Sequence, residues 1–458
     1  MSGHHKAPKS HPLHQATVRQ RRRVGAPPHG VAHHRRGISQ RFERIRSAGA
    51  GAWAAFLAVL GPGLLAGLSD DDPAGITTYS VLGTDFGYRL LWIVPASTLL
   101  LVQFHLLAVR IGAVTGLGFV GAIRQRWGKG MAYLAVLGLL LANFGTICAE
   151  YAGIAAAGSL IGIPNWLSTP IAAVLISLLV VLGSFHRVER VLLLISSTLA
   201  LYIVDGILAA PDWGLVWHHS LVPHLPESPA GWVVIAATLG TTLAPWGLAF
   251  IQSYAVDKKI SVAQLRWERV DVVIGSVLTG VIGLAIAVAC AATLHRAGVH
   301  IQDASDAAAA LRPLAGQFAT VLFGAGLLGA SLLAAAIVPL ATAYSIAEGV
   351  GEPASLDLDS RHFQWFYAAF VGLTVAAAAV VSLPGLPLIP LIYSSQVINA
   401  VLLPLHVIAL QLLARDAGVM GEARSGWLSS LAAWISIGLI CACVAALAAS
   451  ELGLLGRS

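Results

Sequence analysis

The chain of 458 residues is 57% hydrophobic and only 11% charged. Soluble domains carry roughly 25% charged residues, so a water-soluble globular protein is excluded and a chain dissolved in lipid is implied. The formal charge of +6 sits mostly in an N-terminal tail and in short loops, which is a topology signal and not a nucleic-acid surface.

Residues 1–50 stand apart from everything that follows. They hold Arg21, Arg22, Arg23, Arg35, Arg36 and the histidines His4, His5, His11, His14, His29, His33 and His34, with almost no apolar content. This composition predicts a disordered cytoplasmic tail, with weak metal collection as the alternative its histidines permit. Eleven apolar runs follow, near 52–80, 86–112, 130–160, 168–185, 190–210, 231–256, 270–294, 316–346, 362–382, 386–413 and 427–450. Each is long enough, or nearly so, to cross a hydrocarbon core of about 30 Å, and the runs are continuous, which predicts helices and not a barrel. Basic residues collect after even-numbered spans: Arg110, Arg124, Arg126 and Lys129, then Lys258, Lys259, Arg266 and Arg269, then Arg415 and Arg424. That bias predicts a cytoplasmic N-terminus and an extracellular or periplasmic C-terminus, in a plasma or inner membrane. The cysteines Cys148, Cys290, Cys441 and Cys443 lie in apolar runs and read as buried thiols.

Spans 1 and 6 are interrupted alike. Pro73 follows Asp70, Asp71 and Asp72 in the first, and Pro245 follows a Gly-Thr cluster in the sixth. A proline inside a helix removes a backbone donor and clashes with the preceding turn. Breaks five spans apart are the signature of a five-plus-five inverted repeat with its site at the membrane midplane. The predicted organisation is a first repeat over 51–210, a second over 231–415, and an eleventh helix at 427–450.

A carboxylate at the centre of a membrane helix costs about 2.5–3.5 kcal/mol, so the acids need an unwound, polar setting. On a regular helix three successive side chains point about 100° apart, and they cannot all line one site. Asp72, next to the break, is the candidate ligand. Asp70 and Asp71 are assigned to a vestibule, a proton route or polar pairing. An anionic group beside freed carbonyls suits a hard cation.

The motifs are similar to those of a known family. The stretch GPGLL, the Asp-Pro pair, FGYRLLW at 86–92, RIGAVTGLG at 110–118, AEYAGIAAAGSLIGIP at 149–164 and SSQVINAVLLPL at 394–405 resemble, in order, helices 1, 2, 3 and 10 of the NRAMP divalent metal transporters. The resemblance implies an all-α LeuT-like fold with broken helices 1 and 6. It also implies departures. The family's Asp-Pro-Gly-Asn becomes Asp72-Pro73-Ala74-Gly75, and its Met-Pro-His becomes Ala244-Pro245-Trp246. Its paired helix 3 acids become Ile147 and Glu150. The pattern looks like the NRAMP-related magnesium transporter branch.

Those departures carry chemistry. A thioether favours soft metals over magnesium and calcium, and Ala244 removes it. Gly75 removes a side-chain oxygen and opens space for a partly hydrated ion, the state in which magnesium usually binds. Ser69 and Thr241 are the carbonyl candidates by alignment, and Gln396 is a helix 10 ligand, direct or through water; Thr242 is weaker. With the helix 6 histidine and one helix 3 acid gone, Glu150 and Trp246 are what remains of a proton route. The expected function is alternating-access import of Mg2+ and Mn2+ without proton coupling. The alternatives are a proton-coupled Mn2+/Fe2+ importer and a sodium-coupled amino-acid carrier of the same architecture. No HExxH or GxSxG motif is present, so no enzyme is expected. No cofactor or nucleic acid is expected either; the ion is the substrate, the bilayer is the other partner, and one chain suffices. His105 and His406 read as packed histidines, and His218, His219 and His224 as a solvated loop able to gather cations.

Overall fold

The computed structural model describes Gly67 and residues 70–182, 201–301, 319–352 and 364–454. The tail 1–50, Ser69, the first half of span 1 and most of span 5 lie outside the described residues. No strand occurs among those described. The helices are α1 (Pro73–Phe86), α2 (Ile93–Thr115), α3 (Phe119–Trp127), α4 (Lys129–Ser159), α5 (Asn165–Val181), α6 (Leu201–Leu208), α7 (Trp213–Leu221), α8 (Pro229–Thr242), α9 (Pro245–Asp257), α10 (Leu265–Cys290), α11 (Ala319–Val350), α12 (Gln364–Val381), α13 (Leu388–Arg415), α14 (Ala417–Met420) and α15 (Trp427–Glu451). Among the described residues, seven helical stretches are long and apolar enough to cross a membrane, the broken α8–α9 pair counting as one, and α5 and α12 are shorter apolar helices.

Both expected breaks are present. Residues 71 and 72 leave the helical path before α1. Asp72 caps that helix in an extended conformation with Pro73 in its first turn. Likewise α8 ends at Leu243, and Ala244 is extended (φ −53°, ψ 134°) before Pro245 opens α9. Helices α1 and α8 have 14 residues each and α9 has 13. At 1.5 Å per residue each spans about 20 Å, short of a hydrocarbon core of about 30 Å. The breaks therefore lie at depth.

Other boundaries differ from the hydropathy reading. The run placed at 86–112 begins its helix only at Ile93, because Gly87 takes φ +56° and stops α1. Residues 87–92 form turns, bonded through Leu91 N to Tyr88 O (3.1 Å) and Ile93 N to Leu90 O (3.2 Å). After α10 the helix widens into a π turn over Ala291–His295. Helices α3 and α7 have no counterpart among the predicted spans.

Three packing relations position the centre. Helix α4 lies between α11 and α13, α10 packs on α1 and α2, and α8 packs on α13 and α15. At the far end of α11, Glu348 accepts hydrogen bonds from Val120 N (3.0 Å) and Gly121 N (3.1 Å) at the start of α3, and from Ser253 Oγ (2.7 Å) of α9. Carboxylates are favoured at helix N-termini, where free N–H groups and the dipole coincide, so Glu348 links three elements.

Helix α1 meets α10 backbone to backbone. A Cβ at Gly83 would overlap the carbonyl of Ala287. Overpacking of this kind costs roughly 1–3 kcal/mol. Gly83→Val is expected to lower the thermal unfolding midpoint of the purified protein by several degrees, whereas Gly438→Val, where a Cβ meets open space, leaves it nearly unchanged.

Candidate ion site at the two helix breaks

The helical partner of a carbonyl is the N–H four residues on. For Thr241 that residue is Pro245, and for Ser69 it is Pro73; neither has an N–H. The second break thus frees the carbonyl of Thr241; Ser69 lies outside the described residues. In the described half of this arrangement, α8 closes with Leu243 N on Leu239 O (2.9 Å), and the Thr241 carbonyl is left at the helix end. The N-termini of α1 and α9 start at the same two breaks, so partial positive and partial negative helix ends lie in one small region.

Position 75 marks where the oxygens meet. Asp72 Oδ1 accepts a hydrogen bond from Gly75 N at 2.6 Å. A Cβ on Gly75 would stand 2.7 Å from the Asp70 carbonyl oxygen, 3.5 Å from Asp72 Oδ1 and 3.6 Å from Thr241 Oγ1. Oxygens from the N-cap of α1, from Asp70 just before it and from α8 therefore border the space that a side chain at 75 would occupy. Asp72 and Thr241 are buried, and Thr241 Oγ1 has no hydrogen-bond partner among the described residues. Ala244 is buried in the second break and adds only a methyl group.

The remaining acids surround this point without joining it. Glu150 on α4 brings its carboxyl beside that of Asp72. The approach depends on Gly153, one turn further along α4, where any Cβ would overlap the ring of Pro73 and Ser331 Oγ. Asp70 turns toward the start of α9. Its Oδ1 lies 3.5 Å from where a Cβ on Gly247 would stand, and His105 Nε2 lies 3.7 Å from the same position. Asp71 is buried with neither carboxyl oxygen partnered among the described residues. Trp246 is fully buried, with its indole N–H likewise unpartnered there. Among the described residues no three His, Cys, Asp or Glu side chains gather around one point. The three aspartates face different surroundings.

Gln396 sits on α13 against α8, whose Gly240 rests on the Gln396 carbonyl. Its Oε1 accepts from Asn399 Nδ2 (3.0 Å), and Asn399 Nδ2 also donates to Thr146 Oγ1 on α4 (2.9 Å). Two polar features were not anticipated. Tyr79 OH and Ser97 Oγ both meet Thr242 Oγ1, at 2.9 and 3.1 Å, joining α1, α2 and α8 beside the break. Asn143 Nδ2 bonds Thr342 Oγ1 at 2.8 Å between α4 and α11. The available signal was polar residues in apolar spans, such as Gln396 and Asn399 three apart on one helix face.

These features define a membrane protein of the LeuT-like class, with two interrupted helices meeting at an oxygen-lined centre. The family model described as "Natural resistance-associated macrophage protein-like" (Nramp) matches residues 63–450. The chain belongs to the Nramp family. It is 28% identical over 380 residues to a divalent metal cation transporter MntH of Aeromonas hydrophila, covering 81% of this chain and 90% of that one. It is 27% identical over 382 residues to the MntH of Deinococcus radiodurans, covering 80% and 83%. Among solved structures, the manganese transporter of Eremococcus coleocola in complex with an aromatic bis-isothiourea substituted compound superposes with a TM-score of 0.69 at 22% identity, covering 88% of this chain and 90% of that one. Mhp1, a nucleobase-cation-symport-1 family transporter, superposes with a TM-score of 0.52 at 15% identity, covering 86% and 91%. Both likenesses concern the fold.

Restoring the family's asparagine is expected to fail structurally. Gly75→Asn forces a Cβ against the Asp70 carbonyl, at a cost of roughly 1–3 kcal/mol. The check is the thermal unfolding midpoint in detergent, and an unchanged value would mean that the turn at Asp70 yields freely.

Proposed function

We propose that the chain is a secondary transporter that carries divalent cations inward by alternating access, Mg2+ and also Mn2+, as partly hydrated ions bound at the two breaks. The observation that carries this reading is the set of oxygens around position 75: the Asp72 carboxylate, the Asp70 carbonyl and the Thr241 hydroxyl are the three atoms nearest that position among the described residues. Freed carbonyls of Thr241 and Ser69 would add hard donors, and Gln396 would act through water. Oxygen ligands suit Mg2+ and Mn2+, and a space kept clear by Gly75 and Ala244 suits an ion that holds part of its water.

The names of the relatives support cation transport in general. The finer assignment to the NRAMP-related magnesium branch rests on Gly75 and Ala244. The proposed repeats are 51–210 and 231–415, with 427–450 as the added helix and the N-terminus cytoplasmic.

Uptake without proton coupling is part of the proposal. Trp246 replaces the family's histidine and Ile147 one of its acids. The membrane potential alone is enough: an inward divalent charge gains about 4.6 kcal/mol per 100 mV, twice the single-charge value. That corresponds to more than about a thousandfold accumulation. One observation favours the second reading, a proton-coupled Mn2+ importer. Glu150 retains its place beside Asp72, where a family proton acceptor would be useful.

Purified protein in liposomes separates these readings. Millimolar Mg2+ is expected to enter and to compete with Mn2+, with no internal acidification. Acidification that tracks Mn2+ entry, with Mg2+ inert, would establish the proton-coupled reading instead. Asp72→Ala is expected to lower uptake of either ion at least tenfold, and equal uptake by variant and parent removes Asp72 from the mechanism.

Adding a thioether at the second break should shift preference toward soft metals. Ala244→Met is expected to strengthen competition by Cd2+ against Mn2+ and to weaken competition by Mg2+, read in the same liposomes.

A further inference from the structure

Outside the central site, the last turn of α7 and the segment joining it to α8 bring three histidines into mutual contact. The ring centroids of His218 and His219 are 5.2 Å apart, those of His218 and His224 6.0 Å, and those of His219 and His224 4.8 Å. Three imidazoles bound tetrahedrally to one zinc ion, at Zn–N distances of about 2.0–2.1 Å, have centroids roughly 5 Å apart. The triangle already has the right size. As placed, the rings pack on one another and their nitrogens do not aim at a common point. A shared centre requires the rings to rotate about their side-chain bonds.

The backbone beneath the rings is fixed from both sides. Asp212 caps α7, accepting from Gly214 N (3.0 Å) and Leu215 N (3.1 Å). Val222 N bonds His218 O at 2.9 Å. The carbonyl of His224 accepts from Trp92 Nε1 (2.9 Å), and Arg89 pairs with Glu227 at 2.6 Å, so the α1–α2 turn holds the segment in two places. The His224 ring is oriented as well. Its Nδ1 meets the Val222 carbonyl at 2.9 Å, which leaves Nε2 free to bind metal. Metal-bound histidines typically use their second nitrogen in this way. His219 Nδ1 is buried and has no hydrogen-bond partner among the described residues. Burial, then the neighbouring His224 and His218, and then Arg89, hold the His219 imidazole below its ordinary pKa.

We propose that His218, His219 and His224 form a second metal site, for a borderline divalent cation such as Zn2+, Ni2+ or Cu2+, at the end of α7 and the start of the segment that leads to α8. Three imidazole ligands suit these ions and not Mg2+ or Ca2+. The site is thus chemically distinct from the oxygen-lined centre, and it stands whether or not Asp72 carries the transported ion. When occupied it cross-links α7 to residue 224, ahead of the helix that leads into the second break.

The test is Zn2+ binding to the full chain in detergent by calorimetry, in an Asp72→Ala background that weakens the central site. Any metal held by the seven tail histidines is subtracted, so the readout is a difference. Replacing His218, His219 and His224 together with alanine is expected to remove one equivalent of Zn2+, while replacing the tail histidines with serine leaves that equivalent in place. In the tail-serine protein, bound Co2+ is expected to give the intense visible absorption of a tetrahedral ion, lost with the triad. The single change His218→Gln, at an exposed position, preserves the fold and is expected to weaken binding at least tenfold. Unchanged stoichiometry and an unchanged Co2+ spectrum in the triad variant, or displacement of the Zn2+ by millimolar Mg2+, would overturn the proposal.

Discussion

Inside a bilayer there is no water to satisfy a backbone carbonyl that has lost its partner. Pro73 and Pro245 each lack the N–H that a continuous helix would offer to the carbonyl four residues before, and the rest of the structure is arranged around that constraint. A helix broken at depth is tolerable only where other protein surrounds it. Here α4, α10 and α13 close around α1, and α2, α11 and α13 close around the α8–α9 pair. The small residues that permit this closeness, Gly83, Gly153 and Gly240, each lie where another element's atoms leave no room for a Cβ. The breaks thus dictate the packing as well as the chemistry.

Charge follows the same constraint. Four acids lie within one region: Asp70, Asp71, Asp72 and Glu150, all essentially buried. The three aspartates are consecutive, and they are separated by direction. Asp72 faces Gly75 and Thr241, Asp70 faces the start of α9 and His105, and Glu150 approaches from α4. Helix N-termini at Pro73 and Pro245 supply partial positive charge to the same region. At the other end of α9, Glu348 uses the same principle on α3, so carboxylates paired with helix starts recur along one path through the protein.

The sequence revealed the breaks because proline and acid residues are conspicuous in an apolar run. The fold followed from their spacing and from the order of family motifs. Hydropathy could not reveal α3 and α7, since these short helices are too brief to register as spans. It misplaced the start of α2 because the apolar residues Leu90, Leu91 and Trp92 look like a span but form turns after Gly87. In the site, Asp72 was legible from its place beside Pro73. The meeting of Tyr79, Ser97 and Thr242 was not, because each comes from a different helix and single hydroxyls in membrane helices usually bond their own backbone. Nor could sequence spacing bring His105 near Asp70, which depends on the crossing of α2 and α9.

Gly75 carries a consequence for how such a centre changes over time. The obstacle to a side chain at 75 is the carbonyl of Asp70, a backbone atom that no substitution can shorten. An exchange at 75 alone therefore meets a closed door, and the turn through Asp70 and Asp71 has to be redrawn first. A side chain at 75 is then accommodated only after the main chain at 70–71 has moved, so the order of changes matters. What the position admits is set by the path of the main chain, and the side chains at the break fit that path.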